Sequence, residues 1–243
     1  TNKVKTFALG FQNVLEPLEK LGHEVIWAAD FSKFVADKSV IPCKIEQIDI
    51  NTNPFNKNNI IAYKQILRII DYYNIEAVMC STPIGGMIAR LAAKKKKIKP
   101  VLYEAHGFLF FKGAPFINQT LYKMEEKILA HYTDTLITIT EEDYLAAQKF
   151  NLRSKEPPYL VHGAGVEVGV QVGINRADKR KSVGVPKDAF VIISAGELNK
   201  NKNTEVIVRA LDKVKNAHYV ACGVGREDRG SKEFRHRISE CVS

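Results

Sequence analysis

The stretch SAGELNKNKN, residues 194–203, gathers residue types that can hold a phosphate. The apolar run before it predicts a strand ending at Gly196, and helical spacing predicts a helix from Thr204. The loop between them sets backbone amides, Lys200 and Lys202 at a helix N-terminus, where unpaired N–H groups and the helix dipole favour an anion. A surface loop whose lysines point to water is the other reading of the same residues. His106, in AHGF, follows a predicted strand. An imidazole there can donate a hydrogen bond without a full formal charge, and Gly107 beside it permits close backbone approach. A strand-end histidine bonded to backbone is the plainer alternative. Gly85 and Gly86 fall between a predicted strand and a predicted helix, so their amides can face an anion or simply allow tight packing. Gly10, after the first predicted strand, has the same two readings. Phe108, Phe110 and Phe111 can shape an acceptor surface, although aromatics after a strand more often belong to a core.

The elements that must carry these residues alternate. Short apolar runs at 4–9, 24–28, 77–80, 101–104 and 135–139 read as strands, and segments of helical period at 14–21, 60–73, 86–94, 121–130 and 141–150 read as helices. This alternation predicts an α/β protein with a parallel sheet and crossover helices. Glu141, Glu142 and Asp143 open the last of these helices, where acidic groups suit the positive end of the dipole. Pro157 and Pro158 break the pattern, and the glycine- and valine-rich stretch 161–173 follows. The expected division is therefore an N-terminal domain over 1–160 and a linker with a partial second domain over 161–243. In the latter, 190–195 reads as a strand, 204–214 as a helix and 219–222 as a strand, and the polar tail 226–243 is expected to add no strand.

With 243 residues, 45% of them hydrophobic, the chain can bury a core. Its formal charge of +9 calls for an anionic partner. Lys94, Lys95, Lys96 and Lys97 close a helical segment; they suit the helix C-terminus as a solvated end, or can attract anionic headgroups in a peripheral membrane contact. Nucleic acid is set aside, because no interleaved aromatics or DNA- or RNA-binding motif accompanies the lysines. The four cysteines, Cys43, Cys80, Cys222 and Cys241, form no CxxC pair, which predicts reduced thiols and a cytoplasmic setting. No signal peptide or membrane-spanning stretch is read.

Five segments together carry a resemblance: GHEVI at 22–26, STPIGG at 81–86, AHGFLFFKGAP at 105–115, TDTLITITEEDY at 133–144 and SAGELNKNKN at 194–203. In this order they resemble the retaining glycosyltransferases of family 4, and within it the exopolysaccharide, capsule and lipopolysaccharide transferases. The resemblance implies a GT-B-like fold of two Rossmann-like domains, with the acceptor side in the first and the donor side in the second. It implies transfer from a nucleotide sugar, expected to be a UDP-sugar, to a polyprenyl-linked or saccharide acceptor at the inner membrane face, without cofactor or metal. Lys202 matches the family's diphosphate lysine, with Gly196 before it. The arginine usual just after that glycine is here Glu197, for which Lys200 can compensate. His106 matches a histidine lining the cleft near the transferred sugar, and Gly10, Gly85, Gly86 and Gly107 fall in cleft segments. Gly163 and Gly165 resemble the crossing between domains, and Gly223 and Gly225 a donor-side turn. The family's downstream glutamate pair has no counterpart here, so the resemblance implies a truncated donor side. A catalytically weak acceptor- or membrane-binding module is the competing expectation.

Overall fold

The computed structural model describes residues 9–32, 41–163, 173–196, 198, 202–211, 213–223 and 239–240. Backbone contacts divide the chain into two units, Thr1–Val168 and Gly169–Ser243.

The first unit runs α1 (Leu9–Lys20), β1 (Ile26–Ala29), β2 (Lys44–Gln47), α2 (Asn58–Tyr73), β3 (Val78–Ser81), α3 (Pro83–Lys96) and β4 (Val101–Ala105). A π-helical segment (Asn118–Tyr122), α4 (Lys123–Ala130), β5 (Thr135–Thr138), α5 (Glu141–Ala147) and β6 (Tyr159–Leu160) complete it. β1 pairs with β2, and β3, β4, β5 and β6 lie side by side in chain order. Each of these pairings is parallel, as crossover helices require.

Three helices begin earlier than the sequence predicts, α2 by only two residues, at Asn58. Phe11, Val14, Leu15 and Leu18 already repeat with helical spacing, so α1 starts at Leu9 and Leu15 is buried. Gly10 consequently lies in the first turn of α1 and not in a loop; residues 4–8 of the expected first strand lie outside the described residues. Pro83, whose ring fixes a helical φ and whose missing N–H costs nothing in a first turn, starts α3 three residues ahead of the expected Gly86. Gly85 and Gly86 are therefore inside the helix and buried. A Cβ on Gly86 would stand 2.5 Å from Tyr103 Cε2, and its amide donates to Thr82 O at 2.7 Å. Tight packing, of the two readings, accounts for Gly86.

The main core lies under β3 to β5. Cys80, Tyr103, Ala105, Leu136, Phe150 and Leu152 pack there with Phe108 and Phe110, which stack with ring centroids 4.8 Å apart. Two of the three aromatics after β4 are thus core, while Phe111 is exposed. Burial raises the Cys80 thiol to about 11, so it is a neutral packing group. Into this side of the sheet the fold places an ion pair. Arg90 of α3 reaches Glu126 of α4 through Nη1–Oε2 at 2.8 Å and Nη2–Oε1 at 3.2 Å, and Arg90 Nε donates to Gly86 O at 3.0 Å. Tyr103 donates its hydroxyl to Glu126 Oε1 at 3.2 Å, and the guanidinium stands 3.8 Å from the Tyr103 ring centroid.

The second unit contains α6 (Arg176–Ser182), β7 (Phe190–Ala195), α7 (Thr204–Leu211), β8 (Ala217–Cys222) and β9 (Ser239–Glu240), with a parallel sheet in the order β7, β8, β9. The tail does add a strand, two residues long, against the expectation of none. β2, with the sequence KIEQ, and α6, with RADKRKS, have too little apolar periodicity to be read. Asn175 holds the start of α6 by accepting from the Ala177 amide at 2.8 Å.

Candidate functional site

In the first unit the expected residues gather where parallel strands end. Ser81 of β3 stands in register with Glu104 of β4, and Ala105 of β4 with Thr138 of β5. The next residues outward are Thr82, His106 and Gly107, at the carboxyl edge where open α/β sheets bind ligands. Gly107 has φ +118, with no atom within 4 Å of where a Cβ would sit, so the chain turns there with space beside it. Thr82 also has a positive φ, +67, which a β-branched residue rarely adopts.

His106 is half-exposed, and its Nε2 lies 3.4 Å from Glu104 Oε1. Residues two apart on a strand point the same way, which puts this carboxylate beside the imidazole. The hydrogen bond to Glu104 pushes the His106 pKa up, outweighing the opposite effect of burial. The folded pKa therefore lies above the unfolded one. Whatever stability the pair contributes is present below the unfolded pKa and is lost as pH rises through the folded one. Glu104→Gln is expected to return the imidazole midpoint toward the ordinary histidine value in an NMR titration; an unchanged midpoint would contradict the pairing.

The loop carrying His106 is anchored by the start of α5. Thr140 caps that helix, with its Oγ1 accepting from the Asp143 amide at 3.2 Å and donating to Asp143 Oδ2 at 2.7 Å. Asp143 Oδ1 accepts from the Phe108 amide at 3.1 Å, and Glu142 Oε1 from the Lys112 amide at 2.7 Å. The acidic first turn thus does more than complement the dipole, because two of its carboxylates fasten the segment after His106. Thr140-x-x-Asp143 has capping-box spacing, a signal that could have shown the cap but not the loop it holds.

In the second unit, Gly196, Lys202 and Gly223 converge at the carboxyl edge of β7 and β8. Ala195 stands in register with Cys222, and the Gly196 amide donates to Cys222 O at 2.9 Å. A Cβ on Gly223, where φ is +156, would lie 1.8 Å from Gly196 O, so the two backbones meet as only glycine allows. The Lys202 stem crosses Gly196, its Cε and Cγ 3.8 and 4.0 Å from where a Cβ would be. α7 begins two residues after Lys202, with Thr204 buried. A cation, glycine turns and a helix start at one strand edge can accept a phosphate through backbone amides and an ammonium.

Lys200, Glu197, Gly165 and Gly225 lie outside the described residues. Gly163 is a turn, with φ +83 and its amide donating to Val161 O at 2.8 Å. Of the lysine run, Lys94 donates to the Tyr132 hydroxyl at 2.6 Å and Lys96 pairs with Asp71 at 2.5 Å. Lys95 and Lys97 are exposed. Among the described residues, one hollow of about 440 Å³ lies beside His23, Cys43 and Lys44 and another of that size beside Arg180, Phe190 and Ile193; neither is lined by His106, Gly196, Lys202 or Gly223.

The model of the family "Glycosyltransferase Family 4" matches residues 11–157. The protein named "Putative glycosyltransferase EpsD" of Bacillus subtilis (strain 168) is 36% identical over 219 residues, 85% of this chain and 55% of its own length. An "Uncharacterized 41.2 kDa protein in cps region" of Klebsiella pneumoniae is 25% identical over 151 residues, 60% of this chain and 41% of its own length. The chain spans about half the length of the curated relatives it matches. Among solved structures, Anabaena Alr3699/HepE in complex with UDP and glucose aligns with a TM-score of 0.67 at 11% identity, over 99% of this chain and 68% of that one. A UDP-N-acetylglucosamine 2-epimerase from Rickettsia bellii aligns at 0.64 and 16% identity, over 99% and 68%. At such identities the likeness establishes the GT-B fold.

Proposed function

The chain belongs to glycosyltransferase family 4, and from that membership we propose that it transfers a sugar from a UDP-sugar, with retained configuration, to a polyprenyl-linked or saccharide acceptor in surface polysaccharide synthesis. The site of action is the cytoplasmic face of the inner membrane. The observation that carries the reading is the convergence of Gly196, Lys202 and Gly223 at one strand edge beside the start of α7. HepE, with the same fold, holds UDP in its solved structure.

Breaking the glycosidic bond of a nucleotide sugar leaves negative charge on the diphosphate, and offsetting that charge is the largest electrostatic task. The Lys202 ammonium and the amides preceding α7 do this in the second unit. In the first unit, His106, kept protonated to higher pH by Glu104, can donate a hydrogen bond to a sugar oxygen. Among the described residues no group of three or more His, Cys, Asp or Glu is placed to hold a metal ion.

The test is incubation with a panel of UDP-sugars, following release of UDP and reading the anomeric configuration of any glycoside by NMR. Release with retention is expected, falling about 10²-fold in Lys202→Ala and in His106→Ala, the usual cost of removing one donor to developing charge. Release that neither substitution alters, or an inverted product, would overturn the assignment.

A further inference from the structure

Shortly after β2 the chain runs through a segment built around asparagine, NTNPFNKNN at 51–59. Ile48 and Ile50, buried just before it, share one core cluster with Ala62 near the start of α2 and with Ile84 and Ile88 of α3. Ile84 lies two residues after Thr82, so the segment emerges at the carboxyl edge, where β3 and β4 lead into Thr82 and His106.

Binding residues concentrate on loops that a rigid scaffold holds in place, and this loop is fastened along its length. Asn59 is buried and its carboxamide spans the turn: Oδ1 accepts from the Asn51 amide at 2.8 Å, and Nδ2 donates to Asn53 O at 2.8 Å. Asn51 Oδ1 accepts from the Asn53 amide at 2.9 Å, Asn53 Oδ1 from the Phe55 amide at 3.0 Å and Asn56 Oδ1 from the Asn58 amide at 2.9 Å. Side chains thus supply the hydrogen bonds that a helix or sheet would otherwise give this backbone. The residue this scaffold holds outward is Phe55, 87% exposed. Leaving so large an apolar side chain in water forgoes the stabilisation its burial would bring.

The face of a phenyl ring carries the negative lobe of its quadrupole. A pyranose ring presents weakly positive axial C–H groups on one side and hydroxyls around its rim. The C–H side suits the Phe55 ring, and the hydroxyls suit N–H donors. Because the Oδ1 atoms of Asn51, Asn53 and Asn56 are already engaged, what these carboxamides offer a ligand is N–H groups. Lys57 is the one charged residue in 51–59, so the loop suits a neutral, hydroxyl-rich ring better than a phosphate.

We propose that Phe55 is a stacking platform for a pyranose ring of the saccharide acceptor, with the neighbouring asparagine carboxamides donating to its hydroxyls. The proposal rests on reading the chain as a glycosyltransferase, and it adds to that reading a residue that selects the acceptor. Phe55 belongs to the first unit, and Gly196, Lys202 and Gly223 to the second, so the two sites can be tested separately.

The test is saturation-transfer NMR of the whole chain with the methyl glycosides of glucose, galactose and N-acetylglucosamine, in the absence of any nucleotide sugar. At least one is expected to take up saturation at its ring C–H protons. Phe55→Ala should weaken that binding about fivefold or more, and Phe55→Trp should keep it, as stacking on a π-face requires. Thermal unfolding of Phe55→Ala should match the parent, because the ring is exposed, and UDP should bind both alike. Absence of saturation in all of these glycosides, or equal binding by Phe55→Ala and the parent, overturns the proposal, and does so without touching UDP binding, on which the glycosyltransferase reading is judged. So does a parent chain that self-associates in sedimentation velocity and binds no glycoside, with a monomeric Phe55→Ala: Phe55 and the exposed Ile60 and Ile61 would then join two copies.

Discussion

Glu126→Ala is expected to destabilise the first unit by about 3–5 kcal/mol, the range found when one partner of a buried ion pair is removed. Arg90 has 1% of its side chain exposed, and Glu126 supplies both of its carboxylate contacts. Alanine would leave the guanidinium with Gly86 O and the Tyr103 ring, neither of which carries a charge to offset it, and would deprive the Tyr103 hydroxyl of its acceptor. The double substitution Arg90→Met, Glu126→Leu should cost much less, since no uncompensated charge remains. Urea denaturation of the three proteins measures both values. A single-variant loss below about 1 kcal/mol, as is common for exposed pairs, would show that the pair is not held in the buried setting described. The pair also positions the site, because it fixes α3, which Thr82 immediately precedes, against α4.

Gly223→Ala is expected to be the most damaging substitution in the second unit. Its Cβ would meet a backbone oxygen at 1.8 Å, so no rotamer change relieves the clash and the ends of β7 and β8 must separate. The cost should reach the upper end of the roughly 1–3 kcal/mol typical of overpacking, with the positive φ adding strain. Gly196→Ala meets only the flexible Lys202 stem at 3.8 Å, so it keeps the φ penalty without the clash and should cost less. Calorimetric melting gives the order. Equal effects of the two substitutions would count against the close approach of the strand ends.

What the sequence revealed of this molecule is mainly what is local. Gly196 as a strand end and Thr204 as a helix start follow from an apolar run, a glycine and a helical repeat within a dozen residues, and β7 and α7 begin where that pattern says. The α/β class and the family follow from motifs of the same kind. Start points failed where an early periodicity or a proline was overlooked, in α1 and α3. Elements failed where stability comes from partners and not from pattern, as in β2 and α6. The pairs that hold the site were illegible because they join distant residues. Arg90 and Glu126 are separated by 36 positions, and Phe108 and Asp143 by 35. Glu104 beside His106 was within reach, since strand alternation alone places them on one side.

The central claim, a donor site for a uridine diphosphate at the Gly196–Lys202–Gly223 edge, is tested most directly by calorimetric titration of the chain with UDP. Saturable binding is expected, displaced by UDP-sugars more readily than by adenosine diphosphate, and about tenfold or more weaker in Lys202→Ala, as loss of a charge-assisted phosphate contact implies. Absence of saturable binding, or the same affinity in Lys202→Ala, would contradict it.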